Sequence, residues 1–340
     1  MAAPGPLNAL TDVAGLLTGC AEDARVRTGV TVIVAERPAV CAADLRGGGP
    51  GTRETDALEP HTLVDAVDAI VLAGGSVYGL GAADAVTAEL GARGRGFQVR
   101  AGLPPAPIVP AAILFDLANG GDKNWGASPP YAALARAALA KAGRTAALGA
   151  AGAGFGATAG ALQGGQGEAS IVTGDGVTVA ALACVNSLGS VLIPDSRVFW
   201  AWPFEIGGEF GGMRPDPAAP ALDPENWGAA KAAFDGRANT TLAVVATDAA
   251  LTPAEAKRVA QMAGAGMARA IRPIFTPSDG DIVFALATGA RAAAGPRPLA
   301  VARIGALAAD CLARAIARGV YAAHAVGTRP AWRDLPASSP

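Results

Sequence analysis

The last third of the chain alternates strand and helix patterns, and this alternation restricts the fold more than any other feature. Thr240 to Thr247 is an apolar run of strand length. Leu251 to about Ile271 reads as a helix, because "TPAE" supplies Thr252 as N-cap, Pro253 as the first helical residue and Glu255 as the third, a capping box. Asp281 to Gly289 is the next strand and Pro298 to His324 the last helix. Such a β-α-β-α block calls for a sheet covered by helices. Upstream, Gly29 to Glu36 reads as a strand, and Ala39 to Asp56 as a second strand running into a glycine-rich loop. Val67 to Leu90 reads as strand, glycine turn and helix, Ala111 to Phe115 as a strand, and a helix begins near Pro130. Ala169 to Thr173 and Val177 to Val185 pair as a hairpin around Gly174-Asp175-Gly176. The whole, residues 1–340, is expected to be one α+β domain with helices on a sheet sandwich. Residues 207–238, rich in proline and glycine, are expected to form a long exposed linker.

Composition closes several functional routes. Charged residues make up 16% of the chain and the net charge is -2, with no basic stripe, so nucleic acid and anionic membrane are not expected partners. The N-terminal "MAAPGPLNALTD" has neither the basic nor the apolar region of a signal peptide, and a cytoplasmic location is expected. The longest uncharged stretch, Thr145 to Gly167, carries eight glycines and reads as turns, not as a membrane span. Cys20, Cys41, Cys184 and Cys311 form no CxxC pair and read as free thiols. With only His61 and His324 available, a histidine-rich metal site is excluded. Each of the two is read as a helix-end residue, and no metal or cofactor is expected.

Gly74-Gly75-Ser76 could be a nucleophile elbow or a phosphate loop. The elbow needs glycine where Tyr78 stands, and a P-loop needs a lysine that does not follow. A tight strand-to-helix turn is the favoured reading, with backbone N–H groups that could help bind an anion. The triplet Asn239-Thr240-Thr241 stands directly before the apolar run from Leu242. It is either a strand with polar edge residues or a self-cleavage site. In the second reading the Thr240 hydroxyl attacks the carbonyl of Asn239, the acyl group moves from N to O, and hydrolysis frees Thr240 as an N-terminus. Its α-amine, with a pKa of about 7.7–8.0, then serves as the base for its own hydroxyl. Asp279 and Asp281 form either a turn or a carboxylate pair that steadies that amine. Asn186, at the end of an apolar run, is either a turn residue or an amide donor to an oxyanion.

Taken together these segments resemble the self-processing peptidase family of L-aminopeptidase/D-esterase, β-peptidyl aminopeptidase and nylon-oligomer hydrolase. The resemblance covers nearly the whole chain, through "NALTDVAGLLTG", "RGGGPGTRETD", "LAGGSVYGL", "PIVPAAILFDL", "GAGFGATAG", "GGQGEASIV", "VAALACVNSLGSV", "NTTLAVVATDA" and "TPSDGDIVFALATG". It implies an α/β/β/α sandwich of the N-terminal-nucleophile-hydrolase type, and a precursor cut before Thr240 into a larger chain 1–239 and a smaller chain 240–340. Thr240, Asn186, Asp279 and Asp281 match the active-site residues of the nylon-oligomer branch. That branch carries a lysine where this chain has Ala161 and a tyrosine where it has Phe115, with Gln163 the nearest polar substitute. Phe115 and Gln163 are candidate substrate contacts, and Tyr78 is a further candidate pocket residue. The expected activity is hydrolysis of a short amide, peptide or ester bearing a free amine, by a homo-oligomer of cleaved heterodimers. An ornithine-type acetyltransferase with the same self-cleavage, and a non-enzymatic small-molecule binder, are the alternatives.

Overall fold

A computed structural model of the chain describes residues 2–145, 147–231, 238–293 and 295–336. Eleven strands carry the fold: β1 (Leu16–Asp23), β2 (Thr28–Leu45), β3 (Thr52–Arg53), β4 (Ala66–Ala73), β5 (Ala111–Ile113), β6 (Thr158–Ala159), β7 (Leu162–Gln163), β8 (Gly165–Val172), β9 (Thr178–Asn186), β10 (Thr240–Ala249) and β11 (Ile282–Arg291). Four helices cover them: α1 (Gly81–Ala92), α2 (Tyr131–Ala140), α3 (Pro253–Ala270) and α4 (Arg297–Ala322).

The residues expected to form two strands, on either side of Arg37–Pro38, form one. β2 runs through 18 residues and belongs to both halves of the molecule. Its first part pairs with β1 and β4, its last part with β11, and its register on β4 shifts between Val34 and Ala39. The irregularity falls where Glu36, Arg37 and Pro38 are exposed, so a proline that cannot donate to a ladder costs little there. The strand order is β3-β5-β4-β2-β11-β10-β9-β8, a single sheet folded across itself along β2.

Side-chain alternation then builds three apolar layers. Leu242, Val244 and Ala246 of β10 face a central layer together with Leu182, Cys184, Ile33, Ile70 and Phe284. Ala243 and Val245, pointing the other way, pack with Val259 and Met267 of α3 and Leu312 and Ile316 of α4. On the far side Val71 and Val32 pack with Val86 of α1 and Ala135 of α2. Helix, sheet, sheet, helix is the order expected. Alanine and glycine dominate the contacts, so the layers approach closely: a Cβ on Gly167 would stand 2.0 Å from the Ala315 carbonyl of α4.

The capping box of α3 is formed as its sequence implies. The Glu255 N–H donates to Thr252 Oγ1 at 3.3 Å, and the Thr252 N–H donates to Glu255 Oε2 at 2.8 Å. Such a cap contributes about 1 kcal/mol, and it fixes where the chain leaves β10.

The proline-rich segment departs from the expectation of an exposed linker at both ends. Residues 216–228 are exposed. Before them, Glu209 accepts from the buried Arg314 guanidinium of α4 at 2.5 Å and Phe210 is buried. After them, the Ala161 N–H donates to Ala229 O at 2.7 Å and the Lys231 N–H donates to Leu188 O at 2.9 Å. Among the described residues no helix is long and apolar enough to cross a membrane.

Candidate active site

Three strand ends meet at one edge of the sheet. β9 ends at Asn186, and β10, antiparallel to it, begins with Thr240 directly opposite. β11 runs parallel to β10, so the Asp279–Asp281 turn that precedes it arrives at the same place, and Asn239 bridges to Asp279. Thr240 and Asn186 have the parity of Leu242 and Cys184 and therefore look into the space between the sheet layers. Thr240, Asn186, Asp279, Asp281 and Asn239 are all buried. The structure thus brings together every residue read as part of the catalytic group.

The peptide entering Thr240 is held from several sides. The Thr240 hydroxyl donates to the Asn239 carbonyl, the one it would have to attack. The Gly280 N–H donates to the same oxygen at 2.8 Å. One residue earlier, Asn186 Nδ2 donates to Ala238 O at 3.1 Å and to Phe115 O at 3.1 Å. Its Oδ1 accepts from the Thr158 N–H at 2.9 Å, which fixes the orientation of the amide.

The carboxylates accept from backbone N–H groups on either side of the site. Asp281 accepts from the Thr241 N–H at 2.6 Å and the Phe275 N–H at 3.2 Å. Asp279 accepts from the Thr276 N–H at 2.8 Å. Burial raises the pKa of Asp281, and the neighbouring charge of Asp279 raises it further. The glycine-rich loop after β2 supports the turn: the Arg46 N–H donates to Asp281 O at 3.0 Å and the Gly49 N–H to Asp279 O at 2.8 Å. Gly47 and Gly280 must be glycine for this fit. A Cβ on Gly47 would lie 2.2 Å from Asp279 O, and one on Gly280 would lie 2.8 Å from Thr240 Oγ1. Gly280→Ala is accordingly expected to displace the Thr240 hydroxyl and slow the events at this bond by roughly 100-fold, read as the half-life of the intact chain.

A cavity of about 590 Å³ opens beside Asn239, with Phe115, Gln163, Asn186, Asn239, Lys231 and Arg329 in its wall. Gln163 is saturated by backbone. It donates to Phe155 O at 3.2 Å and Ala157 O at 2.9 Å and accepts from the Val326 N–H at 3.2 Å, tying the loop before β6 to the C-terminal segment. Tyr78 does not join the cavity wall. Its ring is half exposed and stands edge-on to Trp125, with centroids 5.6 Å apart.

The Gly74–Ser76 turn proves to be occupied. Its three N–H groups donate to Gly29 O, Asp116 Oδ1 and Leu114 O. The anion at that turn is the chain's own Asp116, another residue of the cavity wall, whose pKa burial raises to about 6. A Cβ on Gly75, at φ +82°, would collide with the Tyr131 ring, so the turn is built for packing.

Lys231 is a site residue that reading the sequence missed. Its Nζ donates to Asn239 Oδ1 at 2.9 Å and to Asn186 O at 3.4 Å. Burial lowers its pKa to about 7, with Asp279 opposing the shift and Arg329 adding to it. In the Thr240→Ala chain, one lysine ε-resonance is expected to titrate near 7. Asp279→Asn should move that midpoint lower, because it removes the charge that favours the ammonium. The only advance signal was that Lys231 is the one lysine in a stretch otherwise read as linker.

Residues 8–331 match Peptidase family S58. The chain belongs to that family. An uncharacterized aminopeptidase of Mycobacterium tuberculosis is 44% identical over 97% of this chain and 98% of its own. A 6-aminohexanoate-oligomer endohydrolase of Agromyces is 30% identical over 82% of this chain and 74% of its own. Among solved structures, the L-aminopeptidase D-Ala-esterase/amidase of Ochrobactrum anthropi, described as a variant of the Ntn-hydrolase fold, superposes with a TM-score of 0.67. It is 23% identical and covers 94% of this chain and 88% of that one. This S58 peptidase therefore has an Ntn-hydrolase fold and is a hydrolase of amide or peptide bonds.

Proposed function

We propose that the chain cuts itself before Thr240, and that the freed threonine hydrolyses short amides carrying a free amine. One observation carries this reading: a hydroxyl and a backbone N–H converge on the same carbonyl, that of Asn239, at the buried mouth of a strand. As Oγ1 bonds to that carbon, negative charge develops on an oxygen already facing the Gly280 N–H. The C–N bond then breaks, the nitrogen takes up the proton lost by Oγ1, and an ester results. Water hydrolyses the ester, leaving a carboxylate on Asn239 and an amine on Thr240.

In the cut enzyme the amine accepts the Oγ1 proton as the hydroxyl attacks a substrate carbonyl, and passes it to the leaving amine. Asn186 Nδ2, which holds Ala238 O in the intact chain, becomes free to donate to the substrate oxyanion once that segment withdraws. Asp281, backed by Asp279, holds the start of β10 through the Thr241 N–H. The acyl-enzyme is then released by water.

The cavity walls suit short substrates. At about 590 Å³ the space is of the size that encloses a small ligand. Its lining offers the carboxylate of Asp116 to an ammonium group, and Lys231 and Arg329 to a carboxylate. Short peptides and aminohexanoate oligomers carry both charges, whereas β- or D-amino acyl amides carry the ammonium alone. We place the enzyme in the cytoplasm, where its four free cysteines would remain reduced, as an assembly of cleaved heterodimers.

A panel of amides supplied with a free or an acetylated amine tests the activity. Free-amine substrates should be hydrolysed and their acetylated forms turned over at least about tenfold more slowly, the loss of roughly one charged contact. Equal turnover of both forms would remove the substrate assignment. Acetyl transfer from acetylornithine to glutamate without hydrolysis would replace it with the acetyltransferase.

A further inference from the structure

We propose that Lys231, carried by the segment upstream of the cut, is a positioning residue for self-cleavage: by holding the Asn239 side chain it fixes the carbonyl that Thr240 attacks. The inference rests on the self-cleavage reading above. It concerns a residue outside the set expected from resemblance, in which the branch lysine falls at Ala161.

The scissile residue needs three restraints, and two come from groups already described. Asn186 Nδ2 holds the preceding carbonyl, Ala238 O, and the Gly280 N–H holds Asn239 O. Neither restrains the Asn239 side chain. Lys231 Nζ does, donating to Asn239 Oδ1 at 2.9 Å while also reaching Asn186 O at 3.4 Å, on the residue directly across the ladder from Thr240. One ammonium thus links both residues that flank the nucleophile.

Lys231 is itself anchored. Its own N–H donates to Leu188 O at 2.9 Å, and two residues earlier Ala229 O accepts from the Ala161 N–H at 2.7 Å. The preceding Gly160 has φ +57°, and a Cβ there would lie 2.1 Å from Ala229 O. So at the position where the nylon-oligomer branch has a lysine, this chain uses its backbone to pin the segment that delivers another. The anchor also explains why a stretch with the composition of a linker returns to the protein surface at residues 229–231.

The test is a double-mutant cycle on the rate of self-cleavage, followed by intact mass, with melting temperature recorded for each variant. Lys231→Met and Asn239→Ala should each slow the cut by about 10–100-fold, the cost of a scissile bond out of line. Lys231→Arg, which keeps a donor, should recover part of the loss. Because the lysine acts through Asn239, the double variant should be no slower than the slower single one. A Lys231→Met chain that cuts at the wild-type rate, or losses that multiply in the double variant, would overturn the role of Lys231 while leaving self-cleavage intact. A wild-type chain that never cuts removes both.

Discussion

Thr240→Ala is expected to stay a single chain of 33.5 kDa and to lose amide hydrolysis by roughly 10⁴–10⁶-fold, the scale on which removal of a covalent nucleophile acts. Two losses coincide in this variant. The hydroxyl facing Asn239 O is gone, so the precursor is not opened, and no other group supplies the acyl-enzyme. Thr240→Ser keeps the hydroxyl and should both cut and turn over. Methyl loss at a position already 4% exposed should cost that variant stability more than chemistry. The measurement is intact mass beside the rate of amide hydrolysis. A Thr240→Ala protein that still hydrolyses amides would move the nucleophile elsewhere.

Asn186→Ala carries the second largest expected effect, about 10²–10³-fold on kcat in whatever fraction matures, the loss typical of one oxyanion donor. Maturation itself should slow, since Nδ2 holds Ala238 O and Phe115 O in the intact chain. The variant separates two uses of one amide. Single-turnover hydrolysis by matured material reports the oxyanion, and the half-life of the precursor reports the grip on Ala238. Slow maturation with normal kcat would confine Asn186 to self-cleavage and leave the oxyanion to backbone N–H groups.

That Thr240, Asn186 and Asp279–Asp281 come together was legible because local patterns set them at strand ends. The apolar run after Thr241, the run before Asn186 and the run after Asp281 are three strands of one sheet. Once β9 and β10 pair antiparallel and β10 and β11 parallel, those three ends must coincide. The capping box of α3 was legible for a similar reason, since it depends on residues three apart. Arg37–Pro38 misled as a break between strands, because a bulge at an exposed strand position and a turn draw on the same residues. The segment from 207 misled for a different reason. Proline and glycine content predicts the exposed middle correctly, but the anchors at Glu209 and Lys231 depend on partners more than 40 residues away in sequence, Arg314 and Asn186. No local pattern encodes those contacts. Tyr78 was read as a candidate pocket residue, and its ring instead stands edge-on to Trp125, outside the cavity wall.

The proposed chemistry depends on the bond between Asn239 and Thr240. Freshly folded protein, sampled over hours for intact mass and N-terminal sequence, tests that bond directly. The predicted result is conversion of one chain into two that remain together, the smaller beginning at Thr240. A chain that stays whole while hydrolysing amides, or one that is cut at another residue, would contradict it.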